Sequence, residues 1–208
     1  MNTPIIVIGV LGSPRRKGNT EILLDSFLQG ASEAGGECKK VVLTGLKYTS
    51  CRGCNVCHKT GECILNDDIP QVFEQMLNAD CIAISSPIYT MGITSELKGF
   101  IDRAHYLWVR HCALKTDPLP PDKKLLHRGY FLSTAGMDRD DVFDTAIPMM
   151  RALFNIFGFS YCANILAQNM DGHGGVRGNP VILDEARERG AEAVRGILAK
   201  EACKTGRQ

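Results

Sequence analysis

A chain of 208 residues that is 44% hydrophobic and 23% charged has the composition of an ordinary folded domain, with enough apolar residues for a sizeable core. Its 24 basic and 23 acidic residues leave a net charge of +1, which excludes the broad basic field of a nucleic-acid-binding surface and an acidic disordered tail. No stretch approaches the ~20 apolar residues of a membrane span, and Met1 to Pro4 lead into an apolar strand without a basic n-region, so a cytoplasmic protein with no membrane partner is expected. Nine cysteines, an odd count without a signal sequence, argue against a secreted disulfide framework and for metal or redox chemistry.

The apolar run Pro4 to Val10 predicts a first strand, followed by a glycine-containing loop. Leu23, Phe27, Ala31 and Ala34 share one face of a first helix, Gly35 and Gly36 close it, and Val41 to Leu43 supply a second strand. Asp67 or Asp68 caps a helix with Pro70 in its first turn and Val72, Phe73, Met76 and Leu77 facing inward, before a third strand at Cys81 to Ser85. Leu97, Phe100, Ile101 and Ala104 mark the next helix face. Tyr130 to Ser133 read as a fourth strand, Phe143 to Phe157 as a helix, Tyr161 to Ala167 as a fifth strand and Leu183 to Ala199 as a final helix.

Strands alternating with helices predict one doubly wound α/β domain over 1–208, a five-stranded parallel sheet in the order 2-1-3-4-5 with helices on both faces. Two irregular segments interrupt the pattern, His111 to Arg128 with Pro118, Pro120 and Pro121, and Asn169 to Pro180 with four glycines. Both are candidate lids or subunit contacts.

In such a sheet the chemistry gathers at the carboxyl edge of the strands. After strand one the chain reads Gly12-Ser13-Pro14-Arg15-Arg16-Lys17-Gly18-Asn19-Thr20, which collects hydroxyls, backbone N–H groups and cations at a helix N-terminus, a natural phosphate cradle. Neither the Gly-Lys-Ser/Thr ending of a P-loop nor G-x-G-x-x-G is present; an ordinary capped loop is the plainer alternative. Strand three runs into Ser85-Ser86-Pro87-Ile88-Tyr89-Thr90-Met91-Gly92, an apolar loop against which a flat ring can lie, and Ser133-Thr134-Ala135-Gly136 after strand four adds a third small-residue loop.

Gly12-Ser13-Pro14, Gly18-Asn19-Thr20, Ser86-Pro87-Ile88-Tyr89 and the helix Leu97-Lys98-Gly99-Phe100-Ile101-Asp102-Arg103 together resemble the NADPH-dependent FMN reductase branch of flavodoxin-like proteins. The resemblance runs from about Ile5 to Ala199 and is strongest before Arg103. It implies a flavodoxin-like fold and noncovalent FMN, with Ser13, Arg15, Asn19 and Thr20 at the phosphate, Pro87, Ile88, Tyr89 and Gly92 at the ring, and Ser133, Thr134 and Gly136 nearby. Asp102 and Arg103 match the family pattern too, yet sit where ion pairs that fix packing are the simpler role. NAD(P)H is then the expected co-substrate.

Cys51, Cys54, Cys57 and Cys63 follow the spacing C-x2-C-x2-C-x5-C, which lets one tight loop turn four thiols to a single point, as a [4Fe-4S] cluster needs. Zinc or reduced redox-active thiols are the alternatives, and His58 is a substitute ligand. With these cysteines the chain resembles the iron–sulfur flavoproteins, in which subunit association brings a cluster near a neighbour's flavin. The loop follows strand two and is expected to emerge at the same edge as the flavin loops, one strand spacing (roughly 5 Å) from strand one before loop excursions. Cys38, Cys81 and Cys162 lie in or beside strands and Cys203 near the terminus, where thiols are packing groups; Cys112 is in an irregular segment. His105, His127, His173 and Arg177 are weaker candidates, and Tyr106 and Trp108 are core or interface aromatics.

No catalytic triad or carboxylate pair declares hydrolysis, so the chemistry is expected on the flavin itself. The leading expectation is an electron-transfer oxidoreductase coupling FMN to the cluster, with a small-molecule donor or acceptor, ferredoxin as a possible carrier and a dimer or tetramer as the working unit. A cluster-free NAD(P)H-dependent FMN or quinone reductase is the competing enzyme, and a non-catalytic thiol or metal redox sensor the reading of another class.

Overall fold

The structure, a computed structural model, describes residues 4–117, 119–120 and 126–205, with side chains described to residue 199. Pro118, Pro121 and the Cys203 side chain, named above, lie outside the described residues. Five strands, β1 (Ile5–Leu11), β2 (Gly36–Val42), β3 (Cys81–Pro87), β4 (Arg128–Thr134) and β5 (Ser160–Ala167), pair in the order β2-β1-β3-β4-β5. All four pairings are parallel, from Ile5 opposite Gly36 on one side of β1 to Val7 opposite Cys81 on the other. The expected topology is thus the one observed.

Alternation along the strands divides the core into two. Ile8, Val10, Ile82, Ile84 and Phe131 face α3 (Ile69–Leu77), α4 (Ser95–Arg103) and α6 (Ala146–Phe157), where Phe73 meets Phe100 and Phe157 edge to face at 4.8 and 5.1 Å. Val7, Leu11, Ala83, Tyr130 and Leu132 face α1 (Asn19–Glu33) and α7 (Pro180–Thr205). β3 is buried along its whole length, as a central strand covered on both faces must be.

Several boundaries differ from those predicted. β2 starts at Gly36 rather than Val41, because Glu37 and Lys39 belong to a solvated sheet edge whose charges hide the strand signal. The helix expected from Phe143 begins at Ala146 after a run of turns, and the last helix starts three residues early at Pro180, whose missing N–H costs nothing at a first position. The segment from His111 is not irregular throughout: α5 (His105–Trp108) continues into a π-turn at Val109–Ala113, closed by Leu114 N–H donating to Val109 O at 2.8 Å. Another short helix, α2 (Cys57–Thr60), lies in the cysteine loop. Among the described residues no helix is long and apolar enough to cross a membrane.

Candidate functional site

Residues 12–18 connect β1 to α1, and the helix begins at Asn19 with Gly18 at its cap and no capping side chain. The first-turn N–H groups are therefore open to an outside acceptor. Ser13, only 3% exposed, folds its hydroxyl back to receive the Arg15 N–H at 3.2 Å. Lys17 adopts a left-handed φ of 57°, and its N–H donates to Glu21 Oε2 at 2.5 Å. Arg16 and Lys40 reach the same carboxylate at 2.8 and 2.9 Å. Burial alone would raise the Glu21 carboxyl, but the Lys17 N–H and the two cations outweigh it and bring it down to about 2. Glu21, unremarked in the sequence, is thus the buried post around which this loop is wound.

The neighbouring loops are tied to this one. Gly12 N–H donates to Ser85 O at 2.8 Å, and Thr94, which caps α4, donates to Gly12 O at 2.6 Å. Thr20 and Thr134 share a buried hydroxyl contact of 2.7 Å between the first and third loops. Tyr89 and Gly92 exchange backbone bonds across a tight turn whose central residues, Thr90 and Met91, both have positive φ, at 48° and 63°. Two non-glycine residues held there are a strained turn beside a cleft.

That cleft has a volume of 360 Å³ and is lined by Ser13, Arg15, Asn19 and Thr20 on one side and Pro87, Ile88, Tyr89, Thr134 and Gly136 on the other. The size falls in the roughly 300–1,000 Å³ range of small-molecule sites. Of the flavin residues expected from sequence, Gly92 and Ser133 stand behind the lining: Gly92 closes the turn, and Ser133 is buried with its hydroxyl donating to Ser86 O at 2.7 Å. Met170 and Asp171 also line the cleft and were missed. They come from the glycine-rich segment, which carries no periodicity. Val176 N–H donates to Asn19 Oδ1 at 3.1 Å, and a Cβ on Gly175, at φ +92°, would stand 2.7 Å from that oxygen. The segment therefore packs onto α1 and fixes the Asn19 amide, leaving its NH₂ as the donor end.

The four cysteines converge. Cys51, Cys54, Cys57 and Cys63 line one small hollow with Arg103, His105 and Tyr106, and all four are free thiols. Arg103 anchors the loop from beneath. Fully buried, it donates through Nη1 to Thr49 O at 2.9 Å and to Asp67 at 2.5 Å, with Nη2 3.1 Å from the other Asp67 oxygen, so one guanidinium clamps both ends of the cysteine segment. Lys98 pairs with Asp102 at 2.6 Å on the exposed face of α4, so of the family-pattern charges Arg103 is the one that fixes packing. Burial, and after it the proximity of Cys51 and Cys54, pushes the Cys57 thiol up; several thiolates cannot share this hollow without a cation among them. Arg103 Nε is buried without an acceptor among the described residues. A thiolate-rich, negatively charged group suits both features, so the donor set fits an iron–sulfur cluster.

The course of the loop sets where this hollow lies. The loop leaves the carboxyl edge at Leu43–Gly45 but then turns down the outside of α4: Tyr48 OH donates to Glu96 O at 2.7 Å, Ser50 packs on Gly99, where a Cβ would be 3.3 Å from its hydroxyl, and Thr49 meets Arg103. From Thr94, bonded to Gly12 O behind the cleft, to Arg103 at the hollow α4 rises about 14 Å, and the two sites share no lining residue. Of the weaker candidates, Tyr106 is buried, stacks on Phe73 at 6.1 Å and has its hydroxyl pushed up to about 12 by that burial. Trp108 is 40% exposed; His173 and Arg177 are exposed, and His127 meets the Ala79 carbonyl at 2.7 Å.

The sheet order and the edge cleft define a flavodoxin-like α/β protein. Solved structures share that fold: a flavone reductase (TM-score 0.69, 18% identity, covering 95% of this chain and 64% of that one) and an NAD(P)H:quinone oxidoreductase from Methanothermobacter marburgensis (TM-score 0.67, 19% identity, 91% and 97%). Within that class, residues 5–139 match the NADPH-dependent FMN reductase family, and the chain belongs to it. Similar curated proteins include an iron-sulfur flavoprotein of Archaeoglobus fulgidus, 36% identical over 96 residues (46% of this chain, 44% of that protein), and one of Methanocaldococcus jannaschii, 38% identical over 101 residues (49% and 52%). The matched stretches span about half the length of these relatives.

Proposed function

We propose that this protein is an FMN-dependent oxidoreductase of the iron–sulfur flavoprotein type, with FMN in the edge cleft and a [4Fe-4S] cluster on Cys51, Cys54, Cys57 and Cys63. The observation that carries the reading is that one chain of the FMN reductase family turns four free thiols into a single hollow around a buried guanidinium. FMN supplies two-electron hydride chemistry and the cluster one-electron transfer, so together they link NAD(P)H or a small organic acceptor to a single-electron carrier such as ferredoxin.

The residues divide the task. The open N–H groups of α1, Ser13, Arg15, Asn19 and Thr20 hold the phosphate, Arg15 as its countercharge. Pro87, Ile88 and Tyr89 would give the ring an apolar wall, and Thr134, Gly136 and Asp171 would offer polar contacts from the rest of the lining. No acid or base is required of the chain; it positions the ring and shields it. Because the two sites share no lining residue, transfer between subunits of a homo-oligomer is the route proposed. Ile64 (62% exposed), Trp108 and Leu114 (38%) supply apolar surface around the cysteine loop for such a contact.

Replacing Cys54 with Ala tests the assignment. The variant is expected to lose cluster absorbance, iron and sulfide while retaining FMN; unchanged iron and sulfide would remove Cys54 from the ligand set.

A further inference from the structure

Beside the thiol hollow, two exposed imidazoles from different elements meet head to head. His58 of α2 and His105 of α5 are 47 residues apart, yet their Nε2 atoms are 3.1 Å apart, and the Cys57 sulfur lies within 4.8 Å of a ring nitrogen of each. His105 is held in place by stacking on Trp108, with ring centroids 5.6 Å apart and planes at 18°. Two nitrogens on one tetrahedral zinc are about 3.3 Å apart, as follows from Zn–N distances of ~2.0–2.1 Å. The imidazole pair therefore already has the spacing of two ligands of one ion, and the half-buried Cys57 thiol stands beside it as the third donor.

We propose that Cys57, His58 and His105 form a mononuclear site for a borderline divalent cation of the zinc class, with water in the fourth position. Two imidazoles and a thiolate suit neither Mg²⁺ nor Ca²⁺, which take oxygen ligands, and match the donors zinc prefers. An ion there staples the cysteine loop to α5. It also uses the sulfur that the cluster needs, so the two occupants are mutually exclusive at Cys57. Zinc is then an antagonist of cluster assembly that leaves the flavin cleft untouched. This last consequence rests on the proposed cluster; the mononuclear site itself does not.

Co²⁺ serves as the probe, because tetrahedral Co²⁺ has visible d–d bands and a thiolate ligand adds a near-ultraviolet charge-transfer band. In the full-length chain carrying Cys51→Ser, Cys54→Ser and Cys63→Ser, one Co²⁺ per chain is expected with both signatures. Adding His105→Ala is expected to weaken binding at least tenfold, and equal affinities with and without His105 would overturn the site. Should the triple variant lack native circular dichroism, Cys51→Ser with Cys63→Ser gives the same comparison. In the wild-type chain freed of iron, preloaded Zn²⁺ is expected to slow iron and sulfide incorporation several-fold, and His105→Ala to relieve this. Uptake unaffected by Zn²⁺ would reject the exclusivity. A chain that binds Co²⁺ through His105 yet never takes up iron would reject the cluster and leave the mononuclear site standing.

Discussion

Glu21→Gln isolates the post that shapes the phosphate loop. The carboxylate is buried and receives the Lys17 N–H and the Arg16 and Lys40 cations, with its pKa brought from 4.5 to about 2. If the whole shift is realised, it contributes about 3 kcal/mol at neutral pH; screening of the exposed Arg16 reduces this to about 1–2 kcal/mol. The sign follows from the lowered pKa: the contribution is fully present above the unfolded carboxyl's 4.5 and is lost as pH falls toward 2. Glutamine accepts from Lys17 N–H but cannot offset the cations. Urea unfolding of the flavin-free chain at pH 7 is therefore expected to show the variant about 1–2 kcal/mol less stable. The gap should narrow as pH is lowered from 4.5 toward 3, and the variant should release FMN more readily. Equal stabilities at pH 7, or a gap that widens in acid, would refute the electrostatic account of this loop.

Two further substitutions separate the sites. Gly175→Ala places a Cβ against Asn19 Oδ1 at a left-handed φ and is expected to cost about 1–2 kcal/mol of stability; equilibrium dialysis should show weakened FMN retention with iron content unchanged. Arg103→Lys keeps the charge but loses the two-pronged grip on Asp67 and Thr49. It is expected to lower iron incorporation and stability by about 2–4 kcal/mol while FMN still binds, because leaving Asp67 half-paired in a buried site is expensive; parallel iron, flavin and unfolding assays check this.

The fold was legible where burial dictates composition. β1 and the first half of β3 are apolar runs because helices cover both faces, and the residues after them announce the sheet edge by glycine, proline and hydroxyl side chains. β2 was half-hidden because its outer residues are solvated charges. In the candidate site, the phosphate and ring loops and the four thiols could be read from local spacing, but Glu21, Met170 and Asp171 could not, since their roles depend on contacts across the chain. The course of the cysteine loop down α4 was likewise invisible: it is set by Tyr48 on Glu96 and by Arg103 reaching Thr49 and Asp67. The Gly99 and Arg103 of the helix motif take their meaning only once that loop is packed against them.

Flavin and cluster are proposed to reside together on this chain. Anaerobic purification followed by an absorbance spectrum, with FMN, iron and acid-labile sulfide quantified per chain, tests it most directly. One FMN with about four irons and four sulfides is expected; FMN without iron or sulfide, after anaerobic reconstitution as well, would make the protein a cluster-free reductase.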